Sequence, residues 1–138
     1  MSASHVQYHD DRAPSVADLV ELYGANDWSS ARKPELLCRA MHDSHTVITA
    51  WDSERLVGLG NAISDGHLVV YYPHLLVHPA YHRQGIGTAI VRRLQARYEG
   101  FHQQMIVADG AAIAFYEKLG FSRAGATQSM WIYDGGDH

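Results

Sequence analysis

The segment "HLVVYYPHLLV", His67 to Val77, constrains the fold more than any other part of the chain. It is apolar at consecutive positions, so both of its faces need cover, which predicts a central strand of a sheet with other elements packed on each side. Asp65-Gly66 just before it, with an apolar strand on either side, reads as a hairpin turn and makes this strand antiparallel to the one that precedes it. Pro73 interrupts the run. A proline cannot donate to the ladder, so it marks either a strand end or a bulge. We expect a bulge, which would leave main-chain groups of Leu75, Leu76 and Val77 unpaired on one side and available to another partner.

The elements around that strand alternate in type. "HVQYHD" reads as a first short strand, and Pro14-Ser15 open a helix over "PSVADLVELYG" with Leu19, Leu22 and Tyr23 on one face and Gly24 able to end it. A second helix is expected from Pro34, with Leu37, Cys38 and Met41 inward. "HTVITAW" and "RLVGLGNAIS" alternate as two strands of a hairpin joined by the polar turn "DSE". After the central strand come the helix "GTAIVRRLQARY", the strand "HQQMIVA", the helix "GAAIAFYEKLG" and a last strand region through "SMWIY". A hairpin-rich front half followed by strands separated by helices implies a mixed α/β (α+β) sheet with helices on its faces. With no repeat, low-complexity tract or linker, residues 1–138 read as one domain, large enough to bury a core of its own.

Composition removes several classes of function. A formal charge of −4 with scattered Lys and Arg argues against a nucleic-acid surface and suits a cationic substrate. The lone Cys38 cannot close an internal disulfide, no stretch approaches the roughly 18 apolar residues of a membrane span, and the first residues lack a secretory pattern. A soluble cytoplasmic protein with no membrane partner is expected. Ten histidines invite a metal reading, but His74, His78 and His82 are spaced by four across a proline and a turn rather than along a helix, so no metal site is expected.

The turn "YHRQGIGTAI", Tyr81 to Ile90, joins the central strand to a helix. Ile90 stands where a dinucleotide fingerprint needs its third glycine, and Ile86-Gly87-Thr88 replaces the Gly-Lys-Ser/Thr of a P-loop, so neither site fits. What remains is a helix start whose first amides lack intrahelical partners and carry the positive end of the helix dipole, a favourable place for an anionic oxygen. Gly85 and Gly87 allow close approach of such a group, and Arg83 adds a charged donor on the rim. The alternative is an ordinary strand-to-helix turn.

Two separate segments carry a family resemblance. "LLVHPAYHRQGIGTAIVRRL" resembles the acyl-CoA motif of the GNAT superfamily of N-acetyltransferases, Gln/Arg-x-x-Gly-x-Gly/Ala after a strand ending in Val-x-Pro, with His82 at the Gln/Arg position. "DGAAIAFYEKLGF" resembles the second family motif, usually Asn-x-x-Ala-x-x-Phe-Tyr-x-Lys-x-Gly-Phe, with Asp109 in place of the Asn and apt to cap a helix beginning near Ala111. The resemblance implies a mixed, mostly antiparallel central sheet with a bulged, splayed central strand and helices on both faces. It also implies acetyl-CoA as co-substrate. Leu75, Leu76 and Val77 would hydrogen-bond the pantetheine arm and the thioester through the main chain, where an amide stabilises the oxyanion of a tetrahedral intermediate. Arg83, Gln84, Gly85, Ile86, Gly87 and Thr88 would wrap the pyrophosphate, and Asp109 would lie near the cofactor. Tyr116 matches the family tyrosine proposed to protonate the departing thiolate. By periodicity alone Tyr116 shares the apolar helix face of Ala112, Phe115 and Leu119 and reads as core.

The expected reaction is direct attack by a primary amine of a small molecule or peptide. Alternatives are another acyl chain or acceptor, or an acyl-CoA-binding module without turnover. An alkylammonium must first lose a proton. The family position for the base is Tyr71, which could hold a water, with His74, His78 and Glu21 as looser candidates that otherwise read as surface or packing residues. Tyr23, Trp28 and Tyr71 could form an aromatic wall for the acceptor with Asp27 nearby, although Trp28 equally could close the core. Family members often pair through sheet edges or last strands, which allows a homodimer.

Overall fold

The structure is a computed structural model and describes residues 5–136. Strand β1 (Val6–His9) leads into α1 (Val16–Ala25), which Ser15 caps through a reciprocal box with Asp18. A 3-10 turn (Ser29–Arg32) precedes α2 (Pro34–Asp43), opened by its proline as expected. Strands β2 (Thr46–Asp52), β3 (Arg55–Ser64), β4 (Val69–Tyr72) and β5 (Leu75–Val77) follow, then a 3-10 turn (Pro79–Tyr81), α3 (Ile86–Arg97), β6 (Gln103–Ile106) and α4 (Ala112–Lys118). The sheet order is β1-β2-β3-β4-β6, with β5 also paired to β3; only the β4–β6 pairing is parallel. This is the mixed, mostly antiparallel sheet that the alternation of elements implies.

The sheet is covered on both sides because β3 alternates its faces. Leu59 packs with Leu19, Leu22, Leu37 and Met41 of α1 and α2, while Val70, Tyr72, Ile86, Ile90 and Leu94 fill the opposite face with α3. Gly58 and Gly60 of β3 point at α3. A Cβ on Gly60 would stand 2.6 Å from Ile90 Cγ2, so α3 crosses the sheet at a separation that only a missing side chain permits.

The central segment divides at the proline. Residues 61 and 62 of β3 face three residues, Tyr72, Pro73 and His74, between the paired sets Ile63–Tyr71 and Gly60–Leu75. This is the bulge expected at Pro73. Asn61 closes the gap: its Oδ1 accepts the His74 N–H at 2.9 Å, and its own N–H donates to the His74 carbonyl at 3.1 Å. Beyond the bulge, β5 pairs with β3 alone while β6 stays with β4, so the sheet splays open along β5.

Four details differ from the sequence reading. The helix α1 runs through Gly24 to Ala25. The hairpin at Asp65-Gly66 is a four-residue loop, because the Asp65 carboxylate accepts the N–H groups of His67, Leu68 and Val69 and holds the longer turn. Asp109 does not cap α4; Ala111 occupies that position, and the Asp109 main-chain carbonyl takes the Ala112 N–H. The last strand is absent, since residues 129–133 form no ladder and Met130 and Ile132 are fully exposed.

Candidate active site

The glycine turn shapes one end of a groove of about 410 Å³. Gly85 caps α3 with φ at 80° and no side-chain hydrogen bond, while the Ala89 N–H closes back on the Gly85 carbonyl at 3.0 Å. The amides of Ile86, Gly87 and Thr88 therefore have no capping partner, and the α3 dipole adds positive charge where they point. No atom lies within 4 Å of a Cβ built on Gly85, so the approach to these amides is open. Arg83 lines the groove beside them and holds a left-handed backbone, φ 64°. This conformation is strained for an arginine.

The groove continues along β5. The His74 carbonyl and the His78 N–H both bond to β3, so by the alternation of an antiparallel pair Leu76 also turns its main chain to β3, and Leu75 and Val77 turn theirs away. The Leu75 N–H and C=O and the Val77 N–H have no partner among the described residues. Expecting three free residues was too generous: Leu76 is spent on the ladder, and its side chain is buried in the α1–α2 core. The Val77 carbonyl is taken too, by the N–H at His82 Nε2, 2.9 Å away. His82 thus ties the strand end to the turn.

At Leu75 and Trp28 the groove meets a second cavity of about 790 Å³. Its walls include Tyr71, Tyr72, His74, Ile106, Asp109 and Tyr116, and across from them Arg32, Lys33, Trp131 and Tyr133. Tyr116 packs with Val91, Leu119 and Phe121, and burial pushes its hydroxyl up to about 12, so it is a neutral proton donor at physiological pH. Its ring is buried in the core, as its helix face implies, and it also lines the cavity. Phe115, its neighbour, packs 3.4 Å from the Cβ position of Gly87 and joins α4 to the glycine turn.

The expected residues fall into three groups. Arg83, Gly85, Ile86, Gly87, Thr88, Leu76 and Val77 line the groove; Tyr71, Tyr116 and Asp109 line the cavity; Leu75 and Trp28 line both. Ile86 offers only its amide, because its side chain belongs to the core, and Gln84 turns a buried Oε1 inward without a hydrogen-bond partner. Tyr23 is not a wall residue. It is fully buried behind His74, and its hydroxyl bonds His74 Nδ1 at 2.7 Å. Two base candidates stand elsewhere: Glu21 pairs with Arg55 at 2.8 Å on the surface, and His78 Nδ1 caps the Ala80 N–H. Asn61, which fixes the bulge, and Arg32, at the cavity mouth, were not singled out in the sequence. A polar residue in an otherwise apolar strand opposite a proline was the available signal for Asn61.

Among the described residues no group of three or more His, Cys, Asp or Glu side chains could hold a metal, and no helix is long and apolar enough to cross a membrane.

Comparison with known proteins agrees with this architecture. The backbone superposes on a GNAT family acetyltransferase from Streptococcus pneumoniae TIGR4 with a TM-score of 0.81, at 25% identity over 94% of this chain and 98% of that one. It superposes on a probable acetyltransferase from meticillin-resistant Staphylococcus aureus with a TM-score of 0.82, at 24% identity over 93% and 98%. An aminoglycoside acetyltransferase from an uncultured soil metagenomic sample gives 0.67, at 22% identity over 93% and 99%. No curated protein matches in sequence. The model of the GNAT acetyltransferase domain matches residues 15–131, which takes in the bulged strand, the glycine turn and α4. The chain belongs to the GNAT acetyltransferase family.

Proposed function

We propose that this protein is an acetyl-CoA-dependent N-acetyltransferase acting by direct attack of a primary amine. The observation that carries the proposal is the continuity of the site: three uncapped amides at the start of α3 open into a groove that follows the unpaired edge of β5 to a cavity containing Tyr116. The donor set suits a nucleotide pyrophosphate linked to an extended amide-bearing arm. Amides of Ile86, Gly87 and Thr88 with the Arg83 guanidinium would hold the phosphates, and the main chain of Leu75 and Val77 would pair with the arm. Acetyl-CoA supplies an activated acyl group as a thioester.

In this reading an amide on the β5 edge donates to the thioester oxygen as negative charge builds there. Once the ammonium has given a proton to water in the cavity, the amine nitrogen bonds to the acyl carbon, the carbon–sulfur bond breaks, and the Tyr116 hydroxyl gives its proton to the departing sulfur. The proton that nitrogen sheds as the amide forms returns through water to the Tyr116 oxygen. The Asp109 carboxylate on the cavity wall would face a cationic acceptor, Asp134 being paired with Lys33, and the aromatic rings of Trp28 and Tyr71 line the same cavity. The amine belongs to a small molecule or a peptide end, the protein acts in the cytoplasm, and the open outer edge of β6 with the exposed tail leaves room for a homodimer.

The test is thiol release from acetyl-CoA against polyamines, amino acids, aminoglycosides, arylalkylamines and peptide N-termini, with CoA binding measured by calorimetry. Turnover with at least one amine class is expected. CoA binding without turnover on any amine would leave a CoA-binding module, and no CoA binding would overturn the proposal.

A further inference from the structure

We propose that His74 is a fixed hydrogen-bond donor of the acceptor cavity, presenting Nε2–H to an oxygen of the amine substrate, and that Tyr23 holds it in that form. This rests on the amine-acetyltransferase reading above and narrows it: the acceptor is an amine that also carries a carbonyl, carboxylate or hydroxyl oxygen.

The tautomer follows from hydrogen-bond accounting. Tyr23 is fully buried, and its hydroxyl has one partner among the described residues, His74 Nδ1 at 2.7 Å. A buried hydroxyl must place its proton on an acceptor, and among the described residues the one in reach is that ring nitrogen. Nδ1 therefore accepts, and the imidazole proton sits on Nε2. The backbone is held as firmly, because Asn61 satisfies both the N–H and the carbonyl of His74, and Asn61 Nδ2 is in turn anchored on Ser44 Oγ at 3.1 Å. Trp28 meets the ring edge-on at 5.2 Å and limits its rotation.

Nε2 is the free end. The ring lines the cavity, Nε2 has no partner among the described residues, and it is not a sealed buried atom. A group so placed cannot take the proton of an attacking ammonium, since its outward nitrogen already carries one. Burial acts in the same direction by lowering the imidazole to about 4, which keeps the ring neutral at pH 7. The cavity also carries both signs of charge, Asp109 for the ammonium and the Arg32 guanidinium for an oxygen-bearing group.

Two measurements test the assignment. In long-range proton–nitrogen spectra of 15N-labelled protein, with the signal assigned by its loss in His74→Gln, His74 should show protonated Nε2 and bare Nδ1 from pH 5.5 to 8, and Tyr23→Phe should mix the tautomers. Kinetics should compare phenylalaninamide with 2-phenylethylamine, which differ by one carboxamide. His74→Ala should raise KM for phenylalaninamide about tenfold, with kcat changed less than about threefold, and leave 2-phenylethylamine unaffected; His74→Asn should restore part of the difference. A proton on Nδ1, equal losses on both amines, or a hundredfold fall in kcat with loss of an acid limb would overturn the proposal. If the wild type acetylates neither amine, the best acceptor of the amine panel and its analogue lacking the oxygen replace the pair, and equal losses on that pair would overturn the proposal. CoA binding with no acceptor at all would sink the amine-acetyltransferase reading on which it rests, while the spectra still decide the tautomer.

Discussion

Tyr116 and His74 face one cavity and are tuned in opposite directions by the same cause. Burial disfavours the charged form of each, so the phenol stays protonated and the imidazole stays neutral. For Tyr116 the consequence is kinetic. Tyr116→Phe should lower kcat by about 100-fold while CoA affinity, read by calorimetry, stays within a factor of about two. Because the raised hydroxyl remains protonated up to about 12, no alkaline loss of rate below about pH 10 should belong to it. For His74 the consequence is a stability slope. The unfolded chain takes up a proton near 6.5 that the folded chain refuses until about 4, so stability is full above the upper value and falls as the pH drops through that window. Urea unfolding should show wild type losing about 2 kcal/mol more than His74→Gln between pH 6.5 and 4.5. Equal losses would show that the buried imidazole is not the responsible group. The chemical type of these residues was legible in the sequence and their surroundings were not. The Tyr116 position followed from a motif, whereas the Tyr23–His74 bond joins residues 51 apart in the chain and no local pattern announces it.

At the scale of elements, function depends on where α3 sits, since its first amides form the phosphate end of the groove. Gly58 and Gly60 set that position by letting the helix lie against β3. Gly60→Ala would force Ile90 Cγ2, 2.6 Å from the new carbon, to move, with Leu94 Cδ1 next at 3.1 Å. Overpacking of this kind costs about 1–3 kcal/mol. The variant should melt several degrees lower and bind CoA more weakly, because relief of the clash tilts the α3 terminus away from β5. Unchanged CoA affinity with a lowered melting temperature would mean that the helix yields at its far end instead. The strand and helix identities were readable because period and punctuation are local. Pro73 pointed to the bulge, since a missing donor in a ladder marks either a bulge or a strand end. Which main-chain groups the bulge frees was not readable, as that depends on register: Leu75 and Val77 face the groove only because His74 and His78 bond to β3.

At the scale of the whole molecule, the two sheet faces and the α4 cluster account for the core, and no described residue after Phe121 joins it. Trp131, Tyr133, Asp134 and Gly135 instead line the acceptor cavity. The segment is tethered there by Lys33 to Asp134 at 2.8 Å and by Ser29 to Tyr133 at 3.3 Å, with Trp131 stacked on Tyr133 at 4.6 Å. "SMWIY" reads as a strand because its apolar content suits one, yet β6 leaves its outer edge unpaired and Trp131 and Tyr133 line the cavity instead. An exposed ion pair contributes less than about 1 kcal/mol, so this strap adds little to folding and much to the shape of the acceptor site. Ending the chain at Gln128 should therefore shift the melting temperature by less than about 3 °C and leave CoA affinity unchanged. The same truncation should raise KM for an acetylated amine at least fivefold, because it removes one wall of the cavity. A loss of more than about 8 °C would instead make the tail part of the fold. A fall from dimer to monomer in sedimentation velocity would assign Met130 and Ile132, which meet no core of their own, to a second copy of the chain.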